Sequence, residues 1–162
     1  MTRTECKVVN IFLDKDTGAP VVLLKDLHGD DILPIVIAPL EASMIAIELE
    51  GKKPVRPLTH DLIVQLLKEF RHELKSISIH DLRNNIYFAS LNLESGGTAL
   101  DVDCRPSDAI AVALRTGAPI FVSRKVFALA MGPGNLAGKM DKETLREVLE
   151  DIEIDDVGGK IM

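Results

Sequence analysis

The chain has 162 residues, 46% hydrophobic and 27% charged, with 25 Asp and Glu against 19 Lys and Arg and a formal net charge of −6. That length fits one domain whose core needs no disulfide or metal staple, and the apolar share excludes a disordered protein. No apolar run approaches the roughly 20 residues of a membrane span, residues 1–7 are polar rather than signal-like, and the acidity argues at first against a nucleic-acid or anionic-membrane partner.

In chain order, Val9, Ile11 and Leu13 alternate and predict a first strand over 7–13. A second follows at 21–24. The turn His28-Gly-Asp-Asp31 then leads to a third over 33–38, because its residues tolerate the positive φ of tight hairpins. Residues 40–49 are apolar almost all round, which predicts a helix buried against the sheet. Thr59 is a cap candidate for a helix over 59–71. Leu62, Ile63, Leu66, Leu67 and Phe70 form its single apolar stripe, with Gln65, Lys68, Glu69 and Arg71 in water.

Strand patterns return at 75–82 and 88–91, followed by the turn Ser95-Gly-Gly-Thr98 and a strand over 100–105. Residues 109–114 predict a second buried helix, and 123–131 another helical stretch. Three glycines and a proline in 131–138 end it. Beyond them Asp141 is placed to cap a short helix whose apolar residues are Leu145, Val148, Leu149 and Ile152.

A shift of 67 positions lays the first half on the second. Gly29 falls on Gly96, Leu33 on Leu100, Pro39 on Pro106, Glu41 on Asp108 and Ala42 on Ala109. The expected class is therefore α+β: internally duplicated strand-hairpin-helix-helix units, a mainly antiparallel sheet, two buried helices and surface helices. Residues 1–135 form the expected main domain, with repeats at about 5–72 and 73–131. Residues 136–162 form an acidic helix and tail.

The charge is uneven. Residues 141–162 hold eight acids and three bases, whereas the first 140 hold 17 acids and 16 bases. A tail held well away from a site is largely screened, the Debye length being about 8 Å at physiological salt. The acidity therefore limits the affinity for a nucleic acid rather than forbidding one. Cys6 and Cys104 form no C-x-x-C pair, which disfavours a thiolate zinc site and predicts a reduced, cytoplasmic setting. Six aromatics and no Trp leave little to stack unpaired bases on.

Polar residues gather at three helix starts. In Arg56-Pro-Leu-Thr-His-Asp61, His60 and Asp61 fall in a first turn, where N–H groups and the dipole favour an anion; Lys52, Lys53 and Arg56 lie just upstream. His60 is a candidate proton carrier, and the alternative is a capping Asp beside an exposed His. In Asp101-Val-Asp-Cys-Arg-Pro-Ser-Asp108, Asp101 and Asp103 share a strand face and Asp108 arrives from the next helix. The three suit a hard cation such as Mg²⁺ or Mn²⁺, and Arg105 suits a phosphate. The alternative is a solvated strand face followed by a Ser107 cap. At the third place, Ala38-Pro-Leu-Glu-Ala42, Glu41 reads as dipole chemistry at a helix start.

The stretches Leu33-Pro-Ile, Glu41-Ala-x-x-Ile45, Arg56-Pro-x-Thr-His-Asp-Leu62 and Asp103-Cys-Arg-Pro-Ser-Asp-Ala-Ile-Ala-Val-Ala-Leu-Arg115 resemble the bifunctional nuclease domain family over about residues 5–130. The resemblance implies cleavage of RNA or DNA, and it raises His60, Asp61, Arg105, Ser107 and Asp108 as residues lining one site. If the two repeats pack about a pseudo-twofold, their helix starts converge.

Two readings follow. The first is a nuclease: His60, Asp61 and Asp108 as catalytic residues, Arg56, Arg105 and Ser107 as phosphate contacts, and Asp101, Asp103 and Asp108 as ligands of a divalent cation. RNA or DNA would be its weakly held substrate. The second is a non-catalytic binding or regulatory module, in which the same residues cap helices and pair with Arg. Both expect a homo-oligomer with no membrane partner.

Overall fold

A computed structural model describes residues 2–140, 146–148 and 150. Its strands are β1 (Arg3–Leu13), β2 (Pro20–Asp26), β3 (Ile32–Val36), β4 (Glu73–Arg83), β5 (Ile86–Ser95), β6 (Thr98–Cys104) and β7 (Ile120–Ser123). Its helices are α1 (Pro39–Leu49), α2 (Thr59–Glu69), α3 (Pro106–Thr116), α4 (Arg124–Ala130) and α5 (Leu136–Lys139). The class is α+β. The seven strands make one sheet in the order β3-β2-β1-β7-β4-β5-β6.

Every neighbouring pair is antiparallel except β4 with β7, so the sheet is mixed. β7 is the strand the sequence reading overlooked. Its run Ile120-Phe-Val-Ser123 follows Pro119, and a repeat read as strand-hairpin-helix-helix has no place for it. It closes the sheet at its centre, antiparallel to β1 and parallel to β4.

The correspondence at 67 positions holds through the meander and its first helix: β2 matches β5, β3 matches β6, and Pro39 and Pro106 both open helices. There it ends, because the second half inserts β7 before α4. Common ancestry of the halves does not follow from that likeness.

Val21, Val22, Leu23 and Leu24 are completely buried, which is why β2 shows no alternation: both of its faces are covered. Helix α3 is the buried helix expected. Its Ala109-Ile-Ala-Val-Ala113 run lies wholly inside, small residues letting the backbone approach its neighbours, and Gly117 at φ 74° closes it. Helix α1 is less covered than expected. It buries Glu41, Ala42 and Ile45, while Leu40 and Leu49 stay largely in water.

Helix α2 also departs from the single stripe. Ile63, Val64 and Leu67 pack on the core, whereas Leu62, Leu66 and Phe70 face outward. Helices α1 and α2 both pack on α3, and that brings three helix N-termini into one region.

Helical residues at 146–148 and 150 agree with the predicted C-terminal helix. The remainder of that expectation, its Asp141 cap included, lies outside the described residues. Among the described residues no helix is long and apolar enough to cross a membrane.

Candidate functional site

The helix starts do converge. Arg105, the last residue before α3, lies with its Nη2 2.8 Å from Glu41 Oε1 on α1 and its Nε 2.8 Å from Asp108 Oδ2 on α3. The second oxygen of Asp108 stands 3.0 Å from His60 Nε2 at the start of α2. Glu41, Arg105, Asp108 and His60 thus form one chain of contacts across three helices.

Burial pushes the Asp108 carboxyl up, but hydrogen bonds from Arg105 and His60 outweigh it and hold its pKa below the usual carboxylate range. An ionised carboxylate only accepts, so His60 donates to it through Nε2. The His60 side chain is only 6% exposed. Its Nδ1 and Glu41 Oε2 are the buried side-chain polar atoms without a hydrogen-bond partner among the described residues. Both belong to this cluster.

The other candidates are placed differently. Asp61 has other partners: it accepts from Leu58 N–H at 2.8 Å and from Arg115 Nε at 2.8 Å. Burial raises its pKa, and these two donors lower it further than burial raises it. The Arg115 side chain, 3% exposed, also donates to the carbonyls of Ala111 and Met44. Asp61 therefore works as a clamp that joins α2, α3 and α1. Leu58 and not Thr59 occupies the N-cap of α2, and Arg105 and not Ser107 that of α3. Ser107 is buried in the first turn of α3. Arg56 is exposed on the loop before α2, outside the contact chain.

The three acids expected to hold a cation are not assembled as ligands. Both oxygens of Asp108 are taken by Arg105 and His60, and Asp101 accepts from Asn92 Nδ2 at 2.8 Å on the face of β5 and β6. Among the described residues no group of three or more His, Cys, Asp and Glu is placed to hold a metal ion. Those donors do not fit a cation cage.

Among the described residues two grooves stand out, and neither gathers the candidates. A groove of about 330 Å³ is lined by Glu48, Lys52, Lys53, Val55, Asp61 and Gln65 among others, and reaches none of His60, Asp101, Asp103 and Asp108. A larger one, about 840 Å³, lies elsewhere, between Leu13, Val36 and Tyr87.

The sequence reading missed two members. Glu41 was read as helix-dipole chemistry, although its alignment with Asp108 was the available signal: two equivalent carboxylates meet one arginine. Arg115 ended a motif without a role. Its signal was a lone cation directly after the apolar run of 109–114, a position that buries the charge and demands a partner.

The profile of the bifunctional nuclease domain matches residues 22–133. An uncharacterized protein of Mycobacterium tuberculosis is 40% identical over 147 residues, covering 91% of this chain and 87% of that protein. Bifunctional nuclease 1 of Arabidopsis thaliana is 27% identical over 109 residues, and bifunctional nuclease 1 of Oryza sativa subsp. indica 26% over 109. Each plant match covers 65% of this chain; the matched segment is 34% of the Arabidopsis protein and 33% of the rice protein.

Proposed function

The chain belongs to the bifunctional nuclease domain family, and from that membership we propose that it hydrolyses phosphodiester bonds of RNA, DNA or both. The observation that carries the reading is the His60–Asp108 pair. Asp108 fixes the ring through Nε2. Nδ1 is left as the nitrogen able to take a proton from a water or a ribose hydroxyl and return it to the leaving oxygen. Arg105 holds Asp108 in place and, with its side chain 63% exposed, offers the cluster's one cation to a phosphate. A body near neutrality makes that binding weak and sensitive to salt.

This chemistry draws on no cation held by Asp101, Asp103 and Asp108, so Mg²⁺ or Mn²⁺ is an arm of the test rather than a step. The reading sets the protein in the cytoplasm, which its two free cysteines favour.

One observation favours the second reading, a non-catalytic, self-associating binding module. The carboxylates of Asp61, Asp101 and Asp108 are already engaged, and His60 Nδ1 is covered. Purified wild type and Asp108→Ala should be assayed on labelled RNA and single-stranded DNA, with Mg²⁺, with Mn²⁺ and with EDTA, both proteins being checked for folding by circular dichroism. Cleavage by wild type that falls about a hundredfold in the folded variant supports the nuclease. Equal trace cleavage by both favours the binding module.

A further inference from the structure

The sheet ends in two unlike edges. β3 is buried over most of its length, carries Pro34 inside the strand and has α5 packed against it. Among the described residues β6 has no such cover: it hydrogen-bonds to β5 alone, and its residues 98–103 are all exposed. An edge of this kind turns the N–H and C=O of alternate residues outward, open to a further strand.

Its side chains divide cleanly between the two faces. Leu100 and Val102 share the face of Leu93 and Leu91, while Asp101 and Asp103 share that of Asn92 and Ser90. Leu100 is 49% exposed and Val102 39%, so the apolar face is open as well.

We propose that β6 is a docking edge for an extended segment of another protein in which apolar and basic side chains alternate. An added strand places its own side chains directly opposite those of β6, apolar against Leu100 and Val102 and basic against Asp101 and Asp103. Charge decides the occupant. Residues 98–104 contain two acids and no Lys or Arg. When two copies pair these seven residues antiparallel in full register, Asp101 stands opposite its own mate. A slip of two residues toward Cys104 sets it opposite Asp103. Like charges directly across a ladder destabilise it, so the edge resists its own copy and accepts a basic strand.

The full-length chain is titrated with three labelled peptides: one alternating Val and Lys, one alternating Val and Glu, and one of the first composition with its residues in blocks. Hydrogen exchange reads the amides of 98–104. The alternating Val-Lys peptide should slow their exchange and bind about tenfold more tightly than either other peptide. Asp103→Lys should reverse the preference for charge. Should that variant fail to fold, Asp103→Asn should narrow the gap between the Lys and Glu peptides. Equal binding of all three peptides, protection confined to other segments, or self-association that protects 98–104 without any peptide would overturn the proposal.

Discussion

Two carboxylate–arginine networks of similar chemistry sit in this protein, and they differ in how completely they are filled. In the first, the Asp26 side chain is fully buried. Thr4 Oγ1 donates to it at 2.7 Å, His28 N–H at 2.8 Å and Arg124 Nη2 at 2.7 Å, and Arg124 continues to Asp31 at 2.8 Å. All but the local His28 contact join distant parts of the fold, β1 to the β2–β3 hairpin to the start of α4. In the second, Arg105 joins Glu41 to Asp108 and Asp108 holds His60, yet Glu41 Oε2 and His60 Nδ1 have no partner. A saturated network stabilises a fold. One that leaves buried polar atoms unmet gives up stability and is where function is sought.

If that contrast is right, removing Asp26 should damage the fold most. Asp26→Ala leaves the buried Thr4 hydroxyl and the His28 N–H without their acceptor and takes from Arg124 its buried carboxylate, Asp31 remaining, and should lower unfolding free energy by about 3 kcal/mol in urea titrations. Asp108→Asn should cost only about 1 kcal/mol, since Arg105 is mostly exposed and keeps Glu41. Equal losses at both positions would erase the distinction.

Acid should expose the same difference more gently. Burial raises the pKa of both Asp26 and Asp108, but hydrogen bonds and the neighbouring arginines outweigh it and hold both below the unfolded value of about 3.9. The folded state therefore binds fewer protons than the unfolded state. This stability is complete above that value and is lost as pH falls through the folded pKa values. The urea midpoint should be flat near neutrality and drop below about pH 4, less steeply in Asp26→Asn.

The smallest effect uses one cysteine beside each network. Burial first, then the charge of Asp26, pushes the Cys6 thiol up to about 12. Burial, then Asp108 and Asp103, pushes Cys104 up to about 11. Both should react slowly with a disulfide reagent at pH 8, Cys104 before the more buried Cys6. Asp108→Asn removes a repelling charge and should speed Cys104 alone. An acceleration at Cys6 would show that the networks are not separate.

Much of this architecture was legible in the chain. Period-two alternation located β1, β4 and β5, Pro39 and Pro106 marked helix starts, and the unbroken apolar run of 109–113 announced a helix buried all round. The missing element, β7, is only four residues long and pairs with two strands remote in sequence, so no local period could reveal it. The stripe on α2 was misassigned because periodicity identifies an apolar surface without saying which part meets the core. For the site, His60, Arg105 and Asp108 were legible as a group. Asp61 was not, because its clamp, Arg115, lies 54 positions away. The cation ligands were read from carboxylates near one another in sequence, a proximity that does not show that Asp101 is engaged by Asn92 and Asp108 by Arg105 and His60.

The central claim is that the unfilled network does chemistry. Its most direct test is the single-turnover cleavage of labelled RNA and single-stranded DNA by wild type and His60→Gln, purified side by side and shown to fold alike. The account predicts a rate for His60→Gln lower by about a hundredfold. Identical rates, or no cleavage by either protein, would contradict it.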